Sequence, residues 1–546
     1  MKLRELIRAF LIIGYDDRPS GRQELCYSSG AVFTAKARKN ANKSFLMIVV
    51  REDFRNGHQP DFFAALRVLC VQIPPAASFV KSDRPSMSFA ISCDSLIALY
   101  LGNNSMLNQL RIQALTLVVL LSSLNVVRAD EDGFVPMFNG RDLSGWVIVN
   151  VAPKTFTVKD GIVISTGVPT GVIRTERQYE NFILELEWRH MKPKGNAGVF
   201  AWGDSLTAQG TPFAKGIEVQ VLDGHETPNY TSHGDVFAIH GARMKPDRPH
   251  PNGWERCLPS EKRAKPSPEW NHYRVECRDG VLKLAVNGKV VSGGSECKPR
   301  KGYLCLESEG SECHFRNVQI KELPSSNPPA DEVAPLAEGF QNLYTGIDLT
   351  NWLDDPGHRG HWQPQDWVLN YDGKSEAKGK DAADVGHLWT EKEYGDFVMI
   401  CDWRLPAKLR KSKRPLIHPN GDEGPEEEEF DDAGDSGIYL RGNDKSQVNI
   451  WSRAIGSGEV RGYRVDQSLP AAVREAVTPK IRADKPIGQW NRFFITMKGD
   501  RLTVVLNGQT VVSHAQLPNI PARGRIALQH HGDPIQFASL FIRELK

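Results

Sequence analysis

The sequence predicts an all-β protein built from two copies of one sandwich domain, and three observations carry that reading. A block beginning Trp270-Asn271 and ending Asn287-Gly288 returns as Trp490-Asn491 through Asn507-Gly508, with the same offset of 220 residues at both ends. Within the first copy Tyr273, Val275 and Cys277 alternate with polar residues, Asp279-Gly280 turns the chain, and Leu282, Leu284 and Val286 alternate again. That period of two gives a strand one dry and one wet face, as in antiparallel sheets of a sandwich. Finally, Asn287-Gly288 supplies the positive backbone dihedrals of a two-residue hairpin turn.

The remaining elements repeat in the same order. Phe134 to Trp146 is answered by Phe340 to Trp352, Thr175 to Phe182 by Thr390 to Phe397, and Gly195-Asn-Ala-Gly-Val199 by Gly434-Asp-Ser-Gly-Ile438. Last strands are expected at His314 to Glu322 and at Gln536 to Leu545. Between the copies, Leu323-Pro-Ser-Ser-Asn-Pro-Pro-Ala330 lacks an apolar period and marks a boundary. The expected organisation is a first sandwich over 130–323, a linker over 324–337 and a second sandwich over 338–546. Residues 408–432 interrupt the second copy with a basic run (Lys408, Arg410, Lys411, Lys413, Arg414) and then an acidic one (Glu426 to Glu429, Asp431, Asp432), which reads as a solvated loop.

Upstream, residues 1–105 show no sustained period. Met106 opens a stretch with Arg111, an apolar core from Ile112 to Leu124, and small residues at Val127-Arg128-Ala129. This is the pattern of a secretory signal peptide over 106–129, with translation starting at Met106 and an exported mature chain. The apolar run is shorter than the ~20 residues of a membrane span. Export into an oxidising compartment would allow one or two disulfides among Cys257, Cys277, Cys297, Cys305 and Cys313.

With 546 residues there is room for several cores. A formal net charge of +2 offers no field for nucleic acid. Nine cysteines without paired CxxC spacing argue against a zinc site.

Chemistry is expected on the strand Ile217 to Asp223. Ile217, Val219 and Val221 point to the core, while Glu218 and Gln220 share the other face ~7 Å apart. A carboxylate beside an amide suits a sugar site, one group moving a proton and one holding a hydroxyl. Asp223 ends the strand and offers a second carboxylate. His225, His233 and His240 follow in a loop suited to a proton relay or to metal ligation, though without tight metal-ligand spacing. No cofactor is specified: a divalent metal is compatible with the loop but not indicated. Trp188, Trp202 and Trp254 are candidate platforms for a pyranose ring, Trp188 lying on the apolar side of its strand. The second copy's matching strand, Gln447-Val448-Asn449-Ile450-Trp451, carries amides in place of the carboxylate, and Arg441 stands where the first copy has Trp202.

Phe138 to Trp146, Gly195 to Val199, Ile217 to Asp223, the Trp-Asn…Asn-Gly block and Phe315-Arg-Asn-Val-Gln-Ile320 together resemble the 3-keto-disaccharide hydrolase domain family over 134–323 and, more loosely, 338–546. The resemblance implies two concanavalin-A-like jelly-roll sandwiches and extracytoplasmic sugar chemistry on glycosides oxidised at C3. It implies Glu218 or His233 as base with Gln220 or Asp223 as partner, and substrate contacts from Trp202, His240, Gln447, Asn449, Trp451 and Arg441. The first copy is expected to be catalytic and the second to bind. A tandem lectin-like module without turnover is the alternative, and a structural surface protein a third reading.

Overall fold

The computed structural model describes residues 133–225, 234–375, 386–406 and 409–546, together with the backbone of four strands between residues 24 and 72. Those four (Glu24–Cys26, Ala31–Asn40, Lys43–Glu52, Arg67–Gln72) form an antiparallel sheet in a unit of their own, Met1–Asn125. The expected signal segment, 106–129, lies outside the described residues. Both repeats belong to the second unit, Val126–Lys546.

Each repeat is two antiparallel sheets facing one another. In the first, a nine-stranded sheet centres on Asn271–Arg278, Phe182–His190 and Cys313–Glu322. A seven-stranded sheet runs Arg256–Cys257, Val236–Ile239, Gly216–Leu222, Asn196–Gly203, Tyr303–Ser308, Gly171–Thr175, Trp146–Ile148. In the second, an eight-stranded sheet containing Ile535–Glu544, Phe397–Arg404 and Asn491–Lys498 faces a four-stranded one ordered Leu388–Tyr394, Gly524–Leu528, Ser436–Leu440, Asn443–Ile450. The alternation works as expected: Tyr273, Val275 and Cys277 enter the first core with Leu282, Leu284 and Val286. Phe493, Ile495 and Met497 enter the second with Leu502, Val504 and Leu506. Both Asn-Gly turns take positive φ at the two residues, 46° and 87° for Asn287-Gly288 and 51° and 83° for Asn507-Gly508.

The repeated Trp-Asn…Asn-Gly block is a clasp. Asn287 Nδ2 donates to Asn271 Oδ1 (3.0 Å) while Asn271 Oδ1 also accepts from Lys265 N (2.6 Å). Asn507, Asn491 and Lys485 repeat this at 2.8 Å for both bonds. The strongest sequence signature therefore marks the fold.

Two expectations are corrected. Within the stretch 408–432 the described residues form no loop but a solvent-facing two-stranded ribbon, Arg410–Ile417 against Glu423–Asp432. The basic strand lies against the acidic one, with Lys411–Asp431 at 2.7 Å, Lys413–Glu427 at 2.5 Å and Arg410–Asp432 at 2.8 Å, so opposite charges set the pairing. And the cysteines of the first repeat, with Cys401, are free thiols buried in the sandwiches.

The two repeats pack together. Phe200, Cys305, Val172, Val149, Ala214 and Tyr303 of the first form one apolar cluster with Ile400 and Phe541 of the second. Around it Gly210 N donates to Asp402 Oδ2 (2.8 Å), Gln209 Nε2 donates to Trp490 O (2.7 Å), Thr207 and Ser539 hydroxyls bond at 2.9 Å, and Thr170 N donates to Asp366 Oδ1 (2.5 Å). Gly210 is fixed by this contact: a Cβ there would meet the Trp490 ring at 2.5 Å. The linker is held along the first sandwich, where Glu180 accepts from Ser326 N (2.7 Å) and Ala334 N donates to Lys301 O (2.8 Å).

Candidate functional site

The strand Gly216–Leu222 places its side chains as its alternation dictates. Ile217, Val219 and Val221 are in the core, and Glu218 and Gln220 are on the opposite face of the seven-stranded sheet. Register then brings unexpected partners. Phe200 pairs with Glu218, Gly198 with Gln220 and Val199 with Leu306, so Glu307 falls beside Gly198 on the Glu218 face. A Cβ on Gly198 would stand 2.2 Å from Glu307 Oε2 and 2.9 Å from Glu218 Oε1, so only glycine lets the two carboxyls meet. Glu307 Oε2 is buried there without a hydrogen-bond partner.

A polar row continues from this pair. Gln220 Nε2 donates to Asn196 Oδ1 (2.5 Å) and to Ala197 O (3.1 Å), and Asn196 Nδ2 donates to Glu309. Just before the next strand, Val236–Ile239, Asp235 is bridged by Arg256, whose Nε lies 2.6 Å from Asp235 Oδ2. Burial, then the charge of Glu309, pushes the Glu218 carboxyl up to about 8, against the pull of Arg256. Burial and the neighbouring Glu218 and Glu309 push Glu307 up as well. Glu309 is raised by burial and by Asp366, a residue of the second repeat. Carboxyls crowded in a dry place disfavour one another's ionised form.

The other expected residues divide. Asp223 is a loop anchor: its oxygens accept from Ser267 N (2.9 Å) and His225 N (3.2 Å). Burial would raise its pKa, but these hydrogen bonds outweigh it and hold the carboxyl low. Trp202 is not a sugar platform, since it is 0% exposed in the core with its indole donating to Glu180 O (2.7 Å). Arg441, at the equivalent position, is a staple rather than a ligand-binding group. Its guanidinium donates to Gly395 O (2.9 Å), Gly499 O (2.6 Å) and Asp396 (2.8 Å). Both positions take a positive φ, 55° and 53°, which turns the side chain off the site face. Trp188 is core, as its strand position implies. Trp254 is exposed but stacked on His250 at 4.4 Å. His240 sits at an exposed turn, 3.1 Å from the Thr211 hydroxyl and stacked on Phe213. His233 lies outside the described residues.

In the second repeat the same register puts Gln447 at the Glu218 position, Asn449 at that of Gln220, and Gln529 at that of Glu307. Here the pair is two amides: Gln447 Nε2 donates to Gln529 Oε1, and Gln529 Nε2 donates to the Tyr439 hydroxyl (3.1 Å). Trp451 is buried, its indole donating to Gly456 O (2.7 Å) and its ring covered by Arg453 at 5.0 Å. Sequence reading had no partner for Glu218. Glu307 and Glu309 were available from the alternation of Leu304-Cys-Leu-Glu-Ser-Glu309 and from its match to Ile526-Ala-Leu-Gln-His-His531, but their place beside Glu218 depends on strand order.

A separate cavity of about 400 Å³ opens on the outer face of the nine-stranded sheet, lined by Phe138, Glu185, Glu187, His272, Arg316 and Gln319. Its charges are already matched, Arg274 with Glu185 at 2.5 Å and Arg316 with Glu187 at 2.5 Å. Among the described residues, no group of three or more His, Cys, Asp or Glu is placed to hold a metal ion, and no helix is long and apolar enough to cross a membrane.

The sequence matches the 3-keto-α-glucoside-1,2-lyase-like domain twice, over residues 133–321 and 339–543. The chain belongs to that family. Two solved structures are similar to parts of the chain. A candidate glycosyl hydrolase of Parabacteroides distasonis is 25% identical, with 35% of this chain and 95% of that one covered and a TM-score of 0.28. The carbohydrate-binding module CBM66 of Bacillus subtilis is 13% identical, with 33% and 96% covered and a TM-score of 0.24. No curated protein matches the chain. The family places both lyase-like domains in carbohydrate chemistry of the hydrolase or lyase kind.

Proposed function

We propose that this is an exported protein whose first repeat cleaves 3-keto-glycosides by elimination and hydration, and whose second repeat holds saccharide. The observation that carries the reading is the Glu218–Glu307 pair meeting over Gly198, replaced in the second repeat by Gln447 and Gln529. A keto group at C3 acidifies the hydrogen at C2. An ionised carboxylate takes that proton, the electron pair becomes the C1–C2 double bond, and the C1–O bond breaks. The protonated partner gives its proton to the departing oxygen, and water then adds at C1. Two carboxyls at one place can supply base and acid together, with Glu218 assigned as base and Glu307 as acid. Arg256 is the donor on the same face for the enolate oxygen. The amide row of the second repeat can hold hydroxyls without moving a proton near neutrality, which supports a binding role there.

The test is release of sugar from 3-keto-trehalose and 3-keto-maltose, with the unoxidised sugars alongside. Release from the keto substrates only, lowered tenfold or more by Glu218→Gln, is expected. An unchanged rate in Glu218→Gln removes it from the mechanism, and binding without release makes the protein a tandem lectin-like module. Export rests on residues 106–129, and a secreted product beginning near Asp130 is its expected signature.

A further inference from the structure

The sheet face that carries Glu218 and Glu307 is also the face on which the second repeat docks. Phe200 pairs with Glu218 on one side and with Cys305 on the other, and Val172 pairs with Glu307. These three apolar neighbours, none more than 1% exposed, share one cluster with Ile400 and Phe541 of the second repeat. Cys305 and Glu307 are two residues apart on one strand, as are Phe200 and Gly198 on the next. Two residues along a strand span ~7 Å, so the docked repeat stands one such step from both carboxyls. The contact continues past Glu307. Pairing of Ser308 with Gly171 brings Glu309 up to Thr170, whose N donates to Asp366 Oδ1 (2.5 Å). Asp366 is held there by its own repeat, the Tyr344 hydroxyl donating to its carbonyl (2.8 Å). Beside it Pro169 seats against Gly346, where a Cβ would lie 2.5 Å from the proline ring. A carboxylate of the second repeat is thus fixed at the end of the row Glu218, Glu307, Glu309.

The charged groups that face this row come from both repeats. Arg256 lies beyond Glu218, across Phe237, and is bound to Asp235. Arg174 pairs with Cys305 but is engaged elsewhere, its guanidinium donating to Ser205 O (3.0 Å) and Thr175 O (2.8 Å). His240 reaches the Thr211 hydroxyl and the Phe213 ring, which packs on Phe200. Glu309 accepts from Asn196 and is the member of the row that feels Asp366.

We propose that the first repeat's site is completed by the second: Ile400 and Phe541, docked over Phe200, Cys305 and Val172, keep water from Glu218 and Glu307, and Asp366 is a positioning residue that acts on the row through Glu309. Its bearing on turnover rests on the reading of Glu218 and Glu307 as the reacting pair; the docking and the protonation of the row do not. Withdrawing water from a carboxyl favours its neutral form, and burial is the first cause of the raised Glu218, Glu307 and Glu309. Separated from the second repeat, the same residues on the same strands face water and titrate closer to ordinary carboxyls.

The experiment follows the protonated-carboxyl stretch in the infrared spectrum of the full chain as pH is raised, with Glu218→Gln and Glu309→Gln identifying each member by the band it removes. The separating variant, Ile400→Gln/Phe541→Gln/Gly210→Leu, loses the apolar contact and has no room at Trp490. A larger radius of gyration in small-angle scattering establishes the separation. Its Glu218 midpoint is expected to fall from about 8 by about one pH unit or more. Asp366→Asn keeps an acceptor for Thr170 N, suits the positive φ of 57° at that position and removes only the charge. The repeats then stay docked, and the Glu309 midpoint moves to lower pH. An unchanged midpoint in either variant overturns the proposal, and Asp366→Asn decides alone if the triple variant does not fold or does not separate. On a 3-keto-glycoside the rising limb of the rate should move to lower pH in the separated protein. A wild type that releases nothing removes the Glu218 reading, and the substrate-free titration still decides this one.

Discussion

At the residue scale the Glu218–Glu307 pair has a signature in pH. Both carboxyls are raised by burial and by each other's charge or that of Glu309, so both bind protons more tightly folded than unfolded. Stability they contribute is therefore whole below the ordinary carboxylate range and is lost as pH rises toward about 8. Glu307→Gln removes the like-charge partner. Its melting temperature should exceed the wild type's by about 2–4 °C at pH 8 and by less at pH 5, as thermal unfolding across that range would show. The same pair predicts a bell-shaped rate, rising as Glu218 ionises toward about pH 8 and falling once Glu307 ionises as well. Glu307→Gln should lose the alkaline limb together with most of the turnover, and pH–rate profiles on a 3-keto-glycoside check this. Gly198→Ala has no space for its Cβ and should cost both folding and activity.

At the scale of the element, the ribbon formed by Arg410–Ile417 and Glu423–Asp432 shows how charge order becomes structure. A basic run followed by an acidic run reads as solvated chain because no apolar period is present. Antiparallel pairing sets Lys411 against Asp431 and Lys413 near Glu427, which turns the two runs into a ladder. Exposed pairs of this kind are weak and are screened by salt. Lys411→Glu with Lys413→Glu should therefore speed amide exchange in the ribbon several-fold, as should high salt in the wild type, while exchange in the Asn271–Arg278 strand stays slow. Equal exchange in the charge-reversed ribbon would show that its packing on the sandwich, not its charges, holds it.

For the whole molecule, two copies of one fold have acquired different faces. The residues of the second repeat that meet the first, Ile400 and Phe541, occupy the positions of Glu185 and Gln319 in the first repeat, where the register pairs them in the same way. One copy's outer sheet is apolar at its centre and docks, and the other's is polar and open. Burying two such side chains contributes a few kcal/mol, enough to hold the repeats as one body. Ile400→Glu with Phe541→Gln, the first repeat's own residues, should separate the sandwiches. Expected are a larger radius of gyration in small-angle scattering and two thermal transitions in place of one. The same variant should shift the pH profile of turnover, because Asp366 of the second repeat acts on Glu309 of the first.

The sequence by itself determined the all-β class, the duplication, the hairpin turns and the inward and outward residues of each strand, because these depend on local period and on backbone sterics. It also selected Glu218 and Gln220 as a polar pair, since two residues on one strand face need no tertiary information. What only the tertiary structure decided was which strand lies beside that one. Glu307 and Glu309 are about ninety residues away in sequence and reach Glu218 through the order of strands across the sheet. Trp202 was a candidate ligand contact as an aromatic ring and Arg441 by resemblance, and a positive φ at each accompanies a side chain turned into the fold. The docking of the repeats was hidden for a related reason: Ile400 and Phe541 are ordinary apolar strand residues until a second sandwich is placed against them.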